Sequence, residues 1–343
     1  MATYKESGVD IEMGDKCSAL AYQAAQNTFS GRTNLIGQAV TDAGNFTGAI
    51  DMGDYYLVQN DDGVGTKIQI AEKINEFKTL GYDLTAMVAD DAVCVGAEPI
   101  SLTNTLDVDK LDDSKIAPLM EGLSTACLEH KIIIPGGEIA ELGNSVNGYL
   151  WNATLVGIVE KNKLITGKDI KEGDKIIGLK SSGFRSNGFS LVKHILNEKF
   201  GDGWAFEKYD PEMTWGQVTL TPSKIYSSAI MDMHGRYKED AKVELKGVVH
   251  VTGGGIPGNI NRVLKNSGLG ANINSLPEPH EMIKKLMKIG NVDVEEAYST
   301  WNMGVGMILI SNDFDQIKEI CKKNDIESLI IGEVKSGDIN LNF

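Results

Sequence analysis

Clusters of glycine with carboxylates, hydroxyls or a histidine recur along this sequence, and each is a place where the backbone could hold an anion. Asp61-Asp62-Gly63-Val64-Gly65-Thr66-Lys67 follows an apolar stretch and opens a helix-like one. Glycine lets backbone N–H groups approach a phosphate, and a helix N-terminus behind them adds a favourable dipole. Two carboxylates and a lysine beside such a turn suit a metal-bound phosphate. The plainer alternative is a strand-to-helix turn capped by Asp. Neither GxxxxGK(S/T) nor GxGxxG occurs there, so the standard nucleotide folds are not indicated.

Asp90 and Asp91 sit among Leu84, Met87, Val88 and Val93, a pattern that predicts a mostly buried helix. Buried carboxylates need a cation or an ion pair, and with only 33 basic residues in the chain a metal ion is the better partner; a solvated helix face is the other reading. Gly136-Gly137-Glu138 follows the apolar Ile132–Ile134, again placing glycine and a carboxylate at a predicted strand end. Ser181–Gly188 (SSGFRSNG) adds hydroxyls and Arg185, one of four arginines in the chain. Arginine suits planar recognition of phosphate or carboxylate; the alternative is a surface ion pair. His250-Val251-Thr252-Gly253-Gly254-Gly255 is the strongest local signal, because three glycines between a strand and a helix form a nest of backbone donors. His250 adjoins that nest and could move a proton, or could be a satisfied structural residue.

The elements that must carry these clusters follow from periodicity. Strands are predicted at 55–59, 101–106, 131–135 and 150–160, with helices at 66–77, 83–95 and 114–129. The charged, turn-rich stretch 161–174 reads as a junction. A second β/α series begins at the 175–179 strand and runs through helices at 187–200, 221–233, after Pro257, 278–289 and 314–323. Its further strands fall at 247–251, near Asn272, at 307–310 and at 329–331. Residues up to about 54 are polar, glycine-bearing and weakly periodic, and are expected to be mobile or ordered only by a ligand. The expected class is α+β, with domains at 1–165 and 166–343, the second a mixed sheet flanked by helices.

Composition narrows the partners. With 343 residues, 42% hydrophobic and 24% charged, the chain is a globular protein long enough for two domains. A net charge of −15 disfavours nucleic acid and anionic membrane surfaces. No apolar run reaches membrane-spanning length. The isolated Cys17, Cys94, Cys127 and Cys321 read as reduced thiols in a cytoplasmic protein.

In order, YKESGVDI (4–11), DGVGTK (62–67), GAEP (96–99), GGE-x-AE (136–141), SSG-x-x-SNG-x-S-L-V (181–192), TP-x-x-IY (221–226), H-x-TGGG-x-x-x-N-I-x-R (250–262), GNV (290–292) and N-x-GVGM (302–307) resemble the phosphoribosylformylglycinamidine cyclo-ligase family across nearly the whole chain. The resemblance implies ATP- and Mg²⁺-dependent closure of formylglycinamidine ribonucleotide to 5-aminoimidazole ribonucleotide in purine biosynthesis. It also implies a homodimer whose N-terminal domains pair their sheets. Carried onto these residues, it makes Asp62, Asp90, Asp91 and Glu138 the expected metal set. Gly44, Phe46, Gly48, Gly63, Gly65, Thr66, Lys67, Gly136 and Gly137 become the expected ATP site, with residues 30–50 as a flap. Arg185, Ser186, Asn187, Thr252, Gly253, Gly254 and Gly255 fall on the substrate side, and His250, Lys67 and Asp62 in the chemistry. The family pattern has Thr, Asn and His where this chain has Asp61, Asp90 and Arg185. Another ATP-dependent phosphotransferase of the same superfamily, or a silent nucleotide-binding homologue, are the alternatives.

Overall fold

The computed structural model describes residues 3–4, 6–41 and 46–342. Its strands are β1 (Gln38–Ala39), β2 (Gly48–Asp51), β3 (Tyr55–Gly63), β4 (Glu98–Val108), β5 (Ile133–Glu141) and β6 (Tyr149–Glu160), then β7 (Lys175–Lys180), β8 (Gly247–His250), β9 (Gly270–Ile273), β10 (Val305–Ile310), β11 (Ser328–Lys335) and β12 (Ile339–Leu341). Its helices are α1 (Ile11–Gln26), α2 (Ile68–Ile74), α3 (Leu80–Val93), α4 (Asp113–Glu129), α5 (Phe189–Phe200), α6 (Trp215–Thr219), α7 (Ser227–His234), α8 (Gly255–Leu264), α9 (Glu281–Gly290), α10 (Val294–Thr300) and α11 (Phe314–Lys323).

Two sheets organise these elements, in the orders β1-β2-β3-β6-β4-β5 and β12-β9-β11-β7-β10-β8. The β4–β5 and β9–β12 pairs are parallel and the rest antiparallel, so each half is a mixed sheet with its own helices. This is the expected α+β class. In β6, Tyr149, Trp151, Ala153, Leu155 and Val159 point into the core while Leu150 and Asn152 point away, the alternation of a strand covered on one face only. Helix α3 packs on β3, β4 and β6, and α4 packs on β5. The opposite face of the sheet carries Leu150, which is 49% exposed.

Helix α3 is buried nearly all round because it lies between the first sheet and the second domain. One apolar cluster runs from Val58 in β3 to Val334 in β11, so the halves share a core rather than touching at a thin interface.

Several elements differ from expectation. Residues Ile11–Gln26, within the stretch read as mobile or ordered only by a ligand, form a helix that the periodicity does not predict. Its described side chains are exposed along the whole length, so it carries no buried stripe for periodicity to detect. Strand β5 does not stop at Pro135 but continues through Gly136–Glu141, its edge position tolerating both proline and glycine. The 66–77 helix is a short 3₁₀ turn at Gly65–Lys67 followed by α2. Helix α7 begins at Ser227, and residues 221–226 are irregular because they cross the domain junction.

Candidate active site

The last turn of α3, the end of β3 and the end of β8 converge at the junction. His250 closes β8 with its side chain fully buried, and its Nδ1 lies 2.7 Å from Asp91 Oδ1. Burial, assisted by the Arg185 charge, holds the His250 pKa down to about 3, so the ring is neutral. A neutral ring that donates Nδ1–H to Asp91 keeps Nε2 as an acceptor. That Nε2 is buried and meets no partner among the described residues.

Asp91 has its pKa raised to about 7 by burial, against the opposing pull of Arg262 and Arg185. Asp62, at the end of β3, is raised to about 6, again first by burial and then by the nearby Asp91 and Asp61 charges. Its Oδ1 accepts the Gly63 N–H at 2.7 Å. Two half-buried carboxylates that repel each other are a poor resting arrangement without a cation, and Mg²⁺ is commonly held by one or two carboxylates plus phosphate oxygens. Asp62 and Asp91 fit that use. Among the described residues no three His, Cys, Asp or Glu side chains converge as a complete cage.

Of the other two expected metal ligands, Asp90 is engaged elsewhere and Glu138 lies on another strand. Asp90 Oδ2 meets Arg185 Nη2 at 2.5 Å, and its Oδ1 accepts the Tyr226 N–H at 2.8 Å. Both side chains are at most 1% exposed, so Asp90 is closed to a metal and Arg185 to a phosphate. Two of the three positions that depart from the pattern expected of the family, Asp90 and Arg185, are thus paired with each other. Glu138 shares a register row with Thr105, Asn152 and Gly63, three strands from β3. At about 4.8 Å per strand that is about 14 Å. Asn152 points to the open face and Ala153, opposite Asp62, to the covered face, so Glu138 and Asp62 lie on opposite sides of the sheet.

Lys67 does not reach towards the carboxylates at the site. Its Nζ lies 2.8 Å from Asp83 Oδ1 and 2.8 Å from the Thr221 carbonyl oxygen, fully buried. Burial depresses its pKa and raises that of Asp83, each opposed by the partner's charge. Gly63 is a glycine for packing, since a Cβ there would fall 2.2 Å from Asn152 Oδ1. Gly65 and Thr66 form the turn next to it, with the Ser186 carbonyl oxygen 3.7 Å from where a Gly65 Cβ would be. Gly136 and Gly137 lie inside β5, away from that turn. Gly48 lines a cavity of about 450 Å³ with Tyr22, Phe29, Gln59, Asn60 and Asp61. Phe46 instead borders a crevice with Cys94, Ile165, Val248 and Val263, under the Arg262 guanidinium 5.5 Å from its ring centroid. Gly44 lies outside the described residues.

Of the residues expected on the substrate side, Asn187 and Gly253 lie close together, while Arg185 is taken up by Asp90. Gly253 faces Asn187, whose Oδ1 is 3.8 Å from the position of a Gly253 Cβ. Ser186 Oγ is buried without a partner among the described residues. Gly254 (φ 90°) and Gly255 (φ 59°) turn the chain into α8, and a Cβ on Gly255 would lie 1.8 Å from the Tyr298 carbonyl oxygen. Thr252 Oγ1 reaches Asn259 Oδ1 at 3.3 Å, and Asn259 Nδ2 donates to the carbonyls of Thr252, Gly253 and Gly255. Asn259 and Arg262, which brace this nest and bear on Asp91, were not assigned from the sequence, although both stand in the N-I-x-R tail of its motif.

The family models for AIR synthase related protein match here in two parts, the N-terminal domain over residues 42–159 and the C-terminal domain over 171–341. A phosphoribosylformylglycinamidine cyclo-ligase of Methanocaldococcus jannaschii is 37% identical, covering 97% of this chain and 92% of the relative. That of Thermococcus kodakarensis is also 37% identical, covering 90% and 88%. Among solved structures, a thiamine-monophosphate kinase from Stenotrophomonas maltophilia aligns over 92% of this chain and 95% of its own with a TM-score of 0.62 at 13% identity. The hydrogenase maturation protein HypE in complex with ATP aligns over 82% and 77%, with a TM-score of 0.58 at 14% identity. These two share the fold. By its near full-length identity to the curated enzymes, the chain belongs to the phosphoribosylformylglycinamidine cyclo-ligase family.

Proposed function

We propose that the junction around Asp62, Asp91 and His250 is where this enzyme of purine biosynthesis closes formylglycinamidine ribonucleotide to 5-aminoimidazole ribonucleotide, converting ATP to ADP and phosphate. An amide oxygen is a poor leaving group. Transfer of the γ-phosphoryl to the formyl oxygen makes it a phosphate ester, which the amidine nitrogen displaces as the new C–N bond forms, the C–O bond breaks and a proton leaves the nitrogen. Such transfer is mainly positioning and charge neutralisation.

The supporting observation is the Asp91–His250 contact, which turns an unpartnered Nε2 acceptor towards the interior beside two carboxylates. Asp91 orients the ring; for Nε2 to take the proton released in ring closure, substrate binding must open the buried ring and the bound phosphates must raise its lowered pKa. Asp62 and the second oxygen of Asp91 would hold Mg²⁺; when bound, the cation would neutralise charge on the transferring phosphoryl group. Gly48, Gly63, Gly65 and Thr66 border the nucleotide in this reading, and the cavity beside Gly48 is of a size to take part of it. Thr252–Gly255, Ser186 and Asn187 take the ribonucleotide phosphate and polar groups.

The open face of the first sheet, with Leu150 exposed, supports a homodimer formed by pairing these faces. Among the described residues no helix is long and apolar enough to cross a membrane. With Cys17, Cys94, Cys127 and Cys321 unpaired, this fits a cytoplasmic setting. ADP release coupled to a reporter, measured with and without formylglycinamidine ribonucleotide, tests the activity. Release that does not depend on the ribonucleotide would overturn it.

A further inference from the structure

Six contacts and peptide links around the junction close on themselves. Asp91 Oδ1 meets His250 Nδ1 at 2.7 Å, and His250 is bonded to Val251. The Val251 N–H donates to the Gly306 carbonyl at 3.1 Å, and the same oxygen accepts from Arg185 Nη1 at 3.0 Å. Arg185 Nη2 meets Asp90 at 2.5 Å, and Asp90 is bonded to Asp91. The ring passes from α3 of the first domain to β8, β10 and the 181–188 loop of the second, and back.

We infer that Asp90 and Arg185 are positioning residues for the Asp91–His250 pair, acting as one unit rather than as two separate structural charges. Neither touches the reacting groups. Asp90 is anchored from its other oxygen by the Tyr226 N–H at 2.8 Å, and the guanidinium lies 5.0 Å from the centre of the Tyr226 ring, whose hydroxyl donates to the Lys180 carbonyl at 2.9 Å. Tyr226 thus seats both members. Arg185 holds a left-handed φ of 60°, a conformation costly for a side-chain-bearing residue and retained here where its guanidinium is pinned at both ends. A shift of the helix end relative to β8 would break the Asp91–His250 contact, and the ring resists that shift because its links are short and the two made by Arg185 are buried. A buried ion pair is weak support for stability in itself and better suited to fixing one arrangement among several.

The inference rests on the proposed reaction only for its kinetic readout. The test uses the full-length protein labelled with ¹⁵N-histidine, in Asp90→Asn, Arg185→Gln and the double variant. In the unsubstituted protein His250 should give one tautomer with a downfield Nδ1–H proton. Each single variant should lose or shift that signal and lower kcat about 10-fold or more with the KM for ATP within about 3-fold. The double variant should lose less than the two losses combined. Should a single variant fail to fold, Arg185→Lys keeps the charge but cannot reach Asp90 and Gly306 together, and should show the same spectral change. Single variants that melt earlier but keep the His250 signal and kcat would make the pair merely structural and overturn the inference. Strictly additive losses in the double variant would also overturn it. Absence of ribonucleotide turnover in the unsubstituted protein would count against the proposed reaction and leave the spectral test standing.

Discussion

Lys67 and Asp83 form a fully buried ion pair, 2.8 Å from Nζ to Oδ1, that ties the turn after β3 to α3. Asp83 also accepts the Ser223 N–H at 3.0 Å, so the pair spans the domain junction. Seven residues further along α3, Asp90 meets Arg185 on the same helix face. The helix is held to the second domain at two points two turns apart, and the Asp91–His250 contact lies at the end nearer Asp90.

Lys67→Met should therefore act on stability. Leaving Asp83 buried without its cation should cost about 3–5 kcal/mol, and Lys67→Met/Asp83→Leu should recover most of it. Chemical denaturation measures both. A Lys67→Met protein of normal stability that has lost ATP affinity would return Lys67 to the phosphate site.

Asp62→Asn and Asp91→Asn should each lower turnover by about 10²-fold or more, most severely at limiting Mg²⁺. They should also abolish the rise in thermal midpoint on adding Mg·ATP to the unsubstituted protein. Normal turnover at limiting Mg²⁺ in either variant would remove that residue from the metal site.

His250→Asn keeps approximate shape and removes the Nε2 acceptor. A proton-transfer role predicts a kcat lower by about 10²–10⁴-fold with the Mg·ATP thermal shift retained. Were kcat and its pH profile unchanged, the proton would have to leave by another group.

Leu150→Lys puts a charge in the middle of the open sheet face. Sedimentation should show a dimer for the unsubstituted chain and a monomer for the variant. A monomeric unsubstituted protein at micromolar concentration would refute pairing through this face.

His234 offers a pH test away from the site. Its Nε2 lies 2.8 Å from the Lys163 carbonyl oxygen, and burial lowers its pKa. The unfolded chain, with His near 6.5, therefore binds a proton before the folded chain does, and stability falls as pH drops below about 6.5. His234→Gln retains an N–H donor but cannot titrate, so the slope of unfolding free energy against pH between about 5 and 7 should become shallower. An unchanged slope would show that His234 is not among the histidines responsible.

Much of the architecture was legible in the sequence because its signals are local. The alternation of Tyr149, Trp151, Ala153 and Leu155 marks β6, and the glycines at 253–255 mark the turn into α8. The ordered motifs identify the family. Helix α1 was missed because its described side chains bury nothing, and β5 was cut short because glycine and proline read as strand breakers although an edge strand accepts them. The sequence also offers Asp62, Asp91, His250 and the Thr252–Gly255 stretch as candidates, and the fold brings Asp62, Asp91 and His250 to one junction. It could not assign their partners. Asp91 meets His250 across 159 residues and Asp90 meets Arg185 across 95, and no local period encodes contacts at such separations. Of two adjacent aspartates, which one meets His250 and which is consumed by a buried arginine depends on how α3 is rotated against the second domain. That rotation is set by packing around the whole helix, and only the tertiary structure decides it.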